Sequence, residues 1–458
     1  MSDSGDPPKK PRTLILCFDG TLEEYDGDNT NVVKFYSLLK KDDFSDQLCY
    51  YQPGIGTWFN PGVVSPFFRW GAKILDLAFA WYLDAHVIEG YKFLMQNYRV
   101  GDKICIFGFS RGSYTARALA GALYKVGLLP RDNEQQIPFA YRLYKREDAD
   151  GIALCAGFKQ TFCQSVKVEF VGVWDTVTSV GVVMGRTLPF TNSNKTIKTF
   201  RHAVALDEHR ARFRPNNYHR PSPDSAGAAL DPEHASPSPN STTSEMQKVV
   251  SPKRRGFVSR FFKRPLQTFS DVLEEEEGED TDVMEVWFSG CHSDVGGGAV
   301  LDSVPHNLSN ISLRWMVGEV MKARCGVQFE ESALERASIP HFTFPGTTTP
   351  IEVAPEHAAM DAADALEPIH DGLKNNVLWW LLEIIPLSYS WQDASGVWHR
   401  EFSFNLGGGR VIQDPNPNFH TTVKQRINQM KYTPKARWTA GTESGFRASY
   451  ENPQEVPK

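Results

Sequence analysis

The apolar run Lys103 to Phe107 ends directly in Gly108-Phe109-Ser110-Arg111-Gly112, and an alanine- and leucine-rich stretch of helical periodicity, Ser113 to Val126, follows at once. No other feature of the sequence restricts the fold as much. A bare G-x-S-x-G arises by chance, but between a strand and a helix it marks a sharp turn that raises a serine above the edge of a sheet. Ser110 must then sit on a strained backbone, and side chains at 108 and 112 would collide with neighbouring backbone, so both positions call for glycine.

The rest of the chain supplies the sheet. Thr13 to Phe18, Lys103 to Phe107, Val168 to Trp174 and Val283 to Ser289 are short apolar runs flanked by polar or turn residues, as expected of buried parallel strands. Helical periodicity fills the gaps, clearest over Asp84 to Tyr98, where Val87, Ile88, Tyr91, Leu94 and Met95 share a face. Strands alternating with such helices predict an α/β doubly wound, mostly parallel sheet flanked by helices. At 458 residues, 41% hydrophobic and 12% aromatic, the chain has enough apolar surface for a sizeable core.

The expected division is a polar N-terminus at 1–11, an α/β core over 12–215 and 283–345, and an unordered insertion at 216–282. A helical, Trp-rich extension over 346–430, packed on the core or acting as a lid, and a polar tail at 431–458 complete it. The insertion runs from Ser and Pro through scattered Lys and Arg to the acidic Glu274 to Glu277, a composition that buries too little to order itself.

Lys plus Arg number 49 against 55 for Asp plus Glu, a formal charge of -6, so no nucleic-acid partner is expected. Seven cysteines without a C-x-x-C pair read as a reduced chain, and the polar start lacks a signal-like apolar stretch. A cytoplasmic location is the expectation. Val63 to Leu83 contains Arg69, Lys73 and Asp76, and Val377 to Leu387 contains Glu383 and Pro386. Neither reads as a spanning helix, while contact with a membrane surface fits both.

A serine hydroxyl needs a base within hydrogen-bond reach and an acid that orients the base. Asp175 directly follows the strand Val168 to Trp174, and His292 follows Val283 to Ser289 through Gly290-Cys291. In a parallel sheet all three emerge at the carboxyl edge, where such sheets place their sites. Ser110, Asp175 and His292 are therefore the candidate nucleophile, acid and base, in the chain order usual for α/β hydrolases. Asp294 is the alternative orienter. His202 and His209, on a segment of helical appearance, and His306 and His420 read as packing or surface histidines.

The oxyanion hole needs two backbone N–H donors, one from Arg111 and the second from Gly20 or Thr21 in the loop Phe18-Asp19-Gly20-Thr21. Asp19 is expected to bond its own loop or to pair with Arg111, supporting the site alongside Gly108, Gly112 and Asp294. The same loop approaches the D-x-D-G-T start of haloacid dehalogenase phosphatases, except that Cys17 stands where their nucleophilic aspartate would be. A scaffold that only binds lipid or protein is the reading from another class. No metal or other cofactor is called for, and the ligand expected is a lipid or other ester. No protein partner is legible.

FDGT at 18–21, GFSRG at 108–112, GVWDTV at 172–177 and GCHSDVGGG at 290–298 together resemble the α/β-hydrolase family that includes type VI secretion phospholipase effectors. GIGT at 54–57, the RHAVALDEHR segment from Arg201, LGGGR at 406–410 and FHTTV at 419–423 extend the likeness over about residues 12–425. The resemblance implies hydrolysis of phospholipid acyl esters, with Ser110, Asp175 and His292 in the roles given above. A long acyl chain needs a dry apolar groove beside the serine, for which the segments at 58–83 and 377–391 are lid candidates.

Overall fold

The computed structural model describes residues 10–20, 25–54, 68–177, 188, 194, 196–218, 280–339, 355–393, 397–438, 443 and 445–447, with backbone alone at 68–82, 355–358, 378, 388, 390 and 398. The strands are β1 (Thr13–Phe18), β2 (Gln47–Gln52), β3 (Lys103–Phe109), β4 (Val168–Trp174), β5 (Ile197–Ala205), β6 (Asp282–Phe288), β7 (Leu387–Gln392), β8 (Trp398–Ser403), β9 (Asn418–His420) and β10 (Gly445–Arg447). Eight of them form one parallel sheet in the order β2-β1-β3-β4-β5-β6-β9-β10, and β7 and β8 form a separate antiparallel hairpin. The α/β architecture expected from the sequence is the one observed.

Continuous apolar runs make these strands because both sheet faces are covered by helices. Leu14, Leu16, Ile104, Ile106, Val171 and Val173 pack under the helices Phe68–Asn97, Arg111–Val126, Ile137–Tyr144 and Ala149–Phe162. Ile15, Cys17, Cys105, Phe107, Phe170 and Trp174 point the other way, onto Asn31–Leu38 and Leu308–Ala323. Phe107 is central to the second layer: its ring lies 4.3 Å from that of Phe35 and 5.6 Å from that of Phe170. Gly172 makes room for it, since a Cβ there would come within 2.8 Å of the Phe107 ring and of Met316 Sδ.

Register sets the carboxyl edge of the sheet. Phe18 pairs with Gly108, Phe109 with Trp174, Trp174 with Ala203, and Ala205 with Phe288. Five strands, β1, β3, β4, β5 and β6, thus end nearly level, and the residues after them leave the sheet side by side. The chain reverses its direction of winding between β1 and β3, the kind of place where open α/β sheets bind ligands.

Three expectations change. His202 lies within β5 and not on a helix, because the charges that interrupt this strand are paired: Arg201 with Glu319 and Asp282, and His202 with Glu285. Residues 418–420 of the extension form β9 and continue the central sheet beside β6. The extension is also less helical than expected, since β7 and β8 carry much of its Trp-rich part. Of the insertion, only 216–218 and 280–282 fall inside the described residues; 58–67 and Ile55 to Thr57 lie outside them. Among the described residues no helix is long and apolar enough to cross a membrane.

Replacing Phe107 with Ala removes the ring that joins three elements of the core and should lower the unfolding free energy by about 3–5 kcal/mol. The urea midpoint reads this directly, and an unchanged midpoint would contradict the packing described.

Candidate active site

Ser110 sits between β3 and the helix Arg111–Val126 with φ 57° and ψ -120°, a left-handed backbone that L residues rarely adopt. The turn is held from both sides. The Ser110 N–H donates to the Trp174 carbonyl at 3.0 Å, and the Ser113 hydroxyl donates to the carbonyls of Gly108 at 2.8 Å and Trp174 at 2.9 Å. A Cβ at 112 would lie 2.2 Å from the Phe18 carbonyl oxygen, and one at 108 would lie 2.5 Å from the Gly112 oxygen. The glycines are therefore set by contact with backbone that cannot yield.

Asp175 follows β4 with φ 37°, its N–H donating to the Ala203 carbonyl at 2.7 Å. His292 opens the short helix His292–Gly296 two residues beyond Gly290, whose φ of 113° turns the chain back over the sheet edge. The two side chains meet: His292 Nδ1 lies 2.5 Å from Asp175 Oδ2. With the proton on Nδ1, Nε2 is left as an acceptor. Phe109 and Phe213 flank the imidazole, with ring centroids 4.6 and 4.8 Å away. Phe109 immediately precedes Ser110.

Arg410 completes the arrangement. Its Nη1 donates to Asp175 Oδ1 at 2.6 Å and its Nη2 to Oδ2 at 3.0 Å, while the Ala205 N–H reaches Oδ1 at 2.9 Å. Burial alone would push the Asp175 carboxyl up; the Arg410 charge and the His292 contact outweigh it and hold the group well below the usual carboxylate range. Burial holds His292 below its ordinary value in spite of the Asp175 bond, which favours the neutral, proton-accepting imidazole. Glu208, itself held by Arg210, accepts the His292 N–H at 3.2 Å.

The remaining candidates are placed as follows. Asp294 caps its own helix through the Cys291 N–H and bonds His370 Nδ1 at 2.7 Å, so it does not orient His292. Asp19 bonds its own loop, accepting from the Gly20 N–H, the Thr30 hydroxyl and the Tyr51 hydroxyl, each at 2.7 Å. The Gly20 N–H expected to serve the oxyanion hole is thus engaged by Asp19, a correction to the sequence reading; Thr21 lies outside the described residues. Arg111 starts its helix, where no N–H has an i−4 carbonyl within the helix.

His202 contacts Glu285, His209 contacts Asp371 and Lys435, His306 contacts Asp364, and His420 contacts Thr422 and stacks on Phe288. Cys17 is buried in the sheet with its thiol pushed well up, unlike a carboxylate nucleophile. Among the described residues no group of three or more His, Cys, Asp or Glu is arranged to hold a metal ion. In the lid segment at 377–391, Trp379 packs edge-on against Phe213 at 5.4 Å, while Val377, Trp380, Leu381 and Ile384 are exposed. Arg410, Glu208 and Phe213 are further residues of the site; LGGGR contains the first and RHAVALDEHR the second, while no local signal points to Phe213.

Burial raises the Asp19 carboxyl from 3.8 to about 6, against its three hydrogen bonds. Between those values the folded chain holds a proton that the unfolded chain has lost, so stability falls as pH rises from about 4 to 6. Asp19→Asn removes this titration. Its unfolding free energy relative to the parent should rise by about 2–3 kcal/mol between pH 4 and pH 7 in urea titrations. A difference that does not change with pH would contradict the buried, charged state of Asp19.

Residues 12–319 match a family model described as T6SS, Phospholipase effector Tle1-like, catalytic domain. The uncharacterized protein YEL023C of Saccharomyces cerevisiae is 29% identical, the match covering 92% of this chain and 80% of the yeast protein. Two solved structures are similar at TM-score 0.36. One is an uncharacterized protein from Pseudomonas aeruginosa, 18% identical over 79% of this chain, which spans about half (52%) of that chain's length. The other is the Tle1 effector bound to the VgrG spike of the Type 6 secretion system, 14% identical over 89% of this chain and 93% of that one.

Proposed function

The chain belongs to the family of Tle1-like phospholipase effector catalytic domains, and from that premise we propose that it hydrolyses a carboxylic ester of a phospholipid or related lipid through an acyl-enzyme on Ser110. The observation that carries the reading is the 2.5 Å contact of His292 with Asp175 at the sheet edge that also presents Ser110 on its strained turn. His292 Nε2 takes the hydroxyl proton as Ser110 Oγ attacks the ester carbonyl, then returns it to the leaving alcohol. Water, deprotonated by the same imidazole, attacks the acyl-enzyme; the acid is released and the proton goes back to Oγ.

Asp175 holds the imidazole and stabilises its charged form, and Arg410 keeps that carboxylate ionised while His292 is protonated. The Arg111 N–H is the proposed oxyanion donor. No cofactor is needed for these steps. The ligand is a lipid, and a scaffold that merely binds lipid would need none of this alignment of buried charge.

Ser110→Ala should lower turnover of 4-nitrophenyl butyrate and of phospholipid vesicles by roughly a millionfold, with circular dichroism unchanged. Because the folded His292 lies below 6.5, the acid limb of kcat/KM should fall below pH 6.5. Substantial hydrolysis by the Ser110→Ala variant would remove the proposal, and an acid limb above pH 7 would remove His292 as its base.

A further inference from the structure

A cleft of about 230 Å³ runs between the segment 208–215 that follows β5 and the β7–β8 hairpin with the stretch after it. Four arginines line it, and two are already committed: Arg210 to Glu208, and Arg410 to Asp175. Arg214 is half-buried, stacks its guanidinium 4.3 Å over the Tyr389 ring, and makes one long hydrogen bond, 3.4 Å to Asn405 Oδ1. Arg437 is exposed at the same cleft. The Nε–H groups of Arg214 and Arg410 are buried and meet no acceptor among the described residues.

Buried guanidinium donors without acceptors are costly, and the planar fork of arginine matches the oxygens of a phosphate. The cleft also adjoins the site. Phe213 lines it and lies against the His292 ring at 4.8 Å, and Arg410 reaches from it to Asp175. Glu401 lines it too, and its negative charge disfavours a dianion, which selects a singly charged phosphodiester over a phosphomonoester.

We propose that this cleft receives the phosphodiester of the substrate's head group, held by Arg214 and Arg437 while the adjacent ester is presented to Ser110. The inference rests on the reading of Ser110 as the nucleophile and adds to it the place where the head-group phosphodiester is held and the two arginines that hold it.

The test has a kinetic and a binding arm. Arg214→Gln and Arg437→Gln should each cut kcat/KM for monomeric dihexanoyl phosphatidylglycerol roughly ten- to hundredfold, mainly through KM, and leave 4-nitrophenyl butyrate within about twofold. Arg214→Lys, which keeps the charge but loses the fork, should fall between parent and Gln variant on the phospholipid alone. In calorimetry, the Ser110→Ala protein should bind glycerophosphoglycerol more tightly than inorganic phosphate, and lose that binding when Arg214→Gln is added.

Equal losses on both esters would reduce the arginines to a packing role and overturn the proposal, as would unchanged phospholipid kinetics. Preferential binding of inorganic phosphate would make a free anion the ligand and overturn it as well. An active Ser110→Ala variant would defeat the nucleophile assignment instead, while the calorimetric arm would still judge the cleft.

Discussion

One buried carboxylate organises the carboxyl edge of the central sheet. Asp175 has no exposure to solvent, and its charge is tolerated because four donors converge on its two oxygens: both Arg410 Nη groups, the Ala205 N–H and His292 Nδ1. Removing one partner from a buried ion pair leaves an uncompensated charge, at a cost of about 3–5 kcal/mol. The requirement reaches far along the chain. Arg410 comes from 235 residues downstream of Asp175 and lies beyond the 12–319 segment matched by the family model. The late part of the chain therefore completes the charge balance around the carboxylate that His292 contacts.

The other half of the edge is set by close approach of backbone. With the Phe18 carbonyl 2.2 Å from where a Gly112 Cβ would be, the loop after β1 and the first turn after Ser110 are locked together. Asp19, in that loop, spends its oxygens on Gly20, Thr30 and Tyr51 and so ties the loop to the start of the following helix and to β2. The imidazole is enclosed by Phe109 and Phe213, and Phe213 in turn supports Trp379. Packing thus links the apolar segment after residue 377 to the ring of His292.

What was legible in the sequence follows from how local each signal is. β1, β3, β4 and β6 are apolar runs covered on both faces, and the turn at Ser110 advertises itself by its glycines and its flanks. β5 was obscured because Arg201 and His202 interrupt the run, and their partners Glu319 and Glu285 are distant in sequence. β9 has three residues, too few for a period. Asp175 directly follows a readable strand and His292 follows one through a short turn, so both could be placed at the carboxyl edge of the sheet. Arg410 could not be assigned a partner, since nothing near LGGGR points to a carboxylate after β4. The Gly20 assignment failed for a related reason: sequence cannot tell that the neighbouring carboxylate folds back onto that N–H.

The convergence of Ser110, His292 and Asp175 can be tested most directly by solving the crystal structure of the protein after reaction with a fluorophosphonate. The account predicts phosphorus bonded to Ser110 Oγ, His292 Nε2 within about 3 Å of that oxygen, and a phosphoryl oxygen accepting the Arg111 N–H. A label on another residue, or an imidazole too remote to touch the adduct, would contradict it.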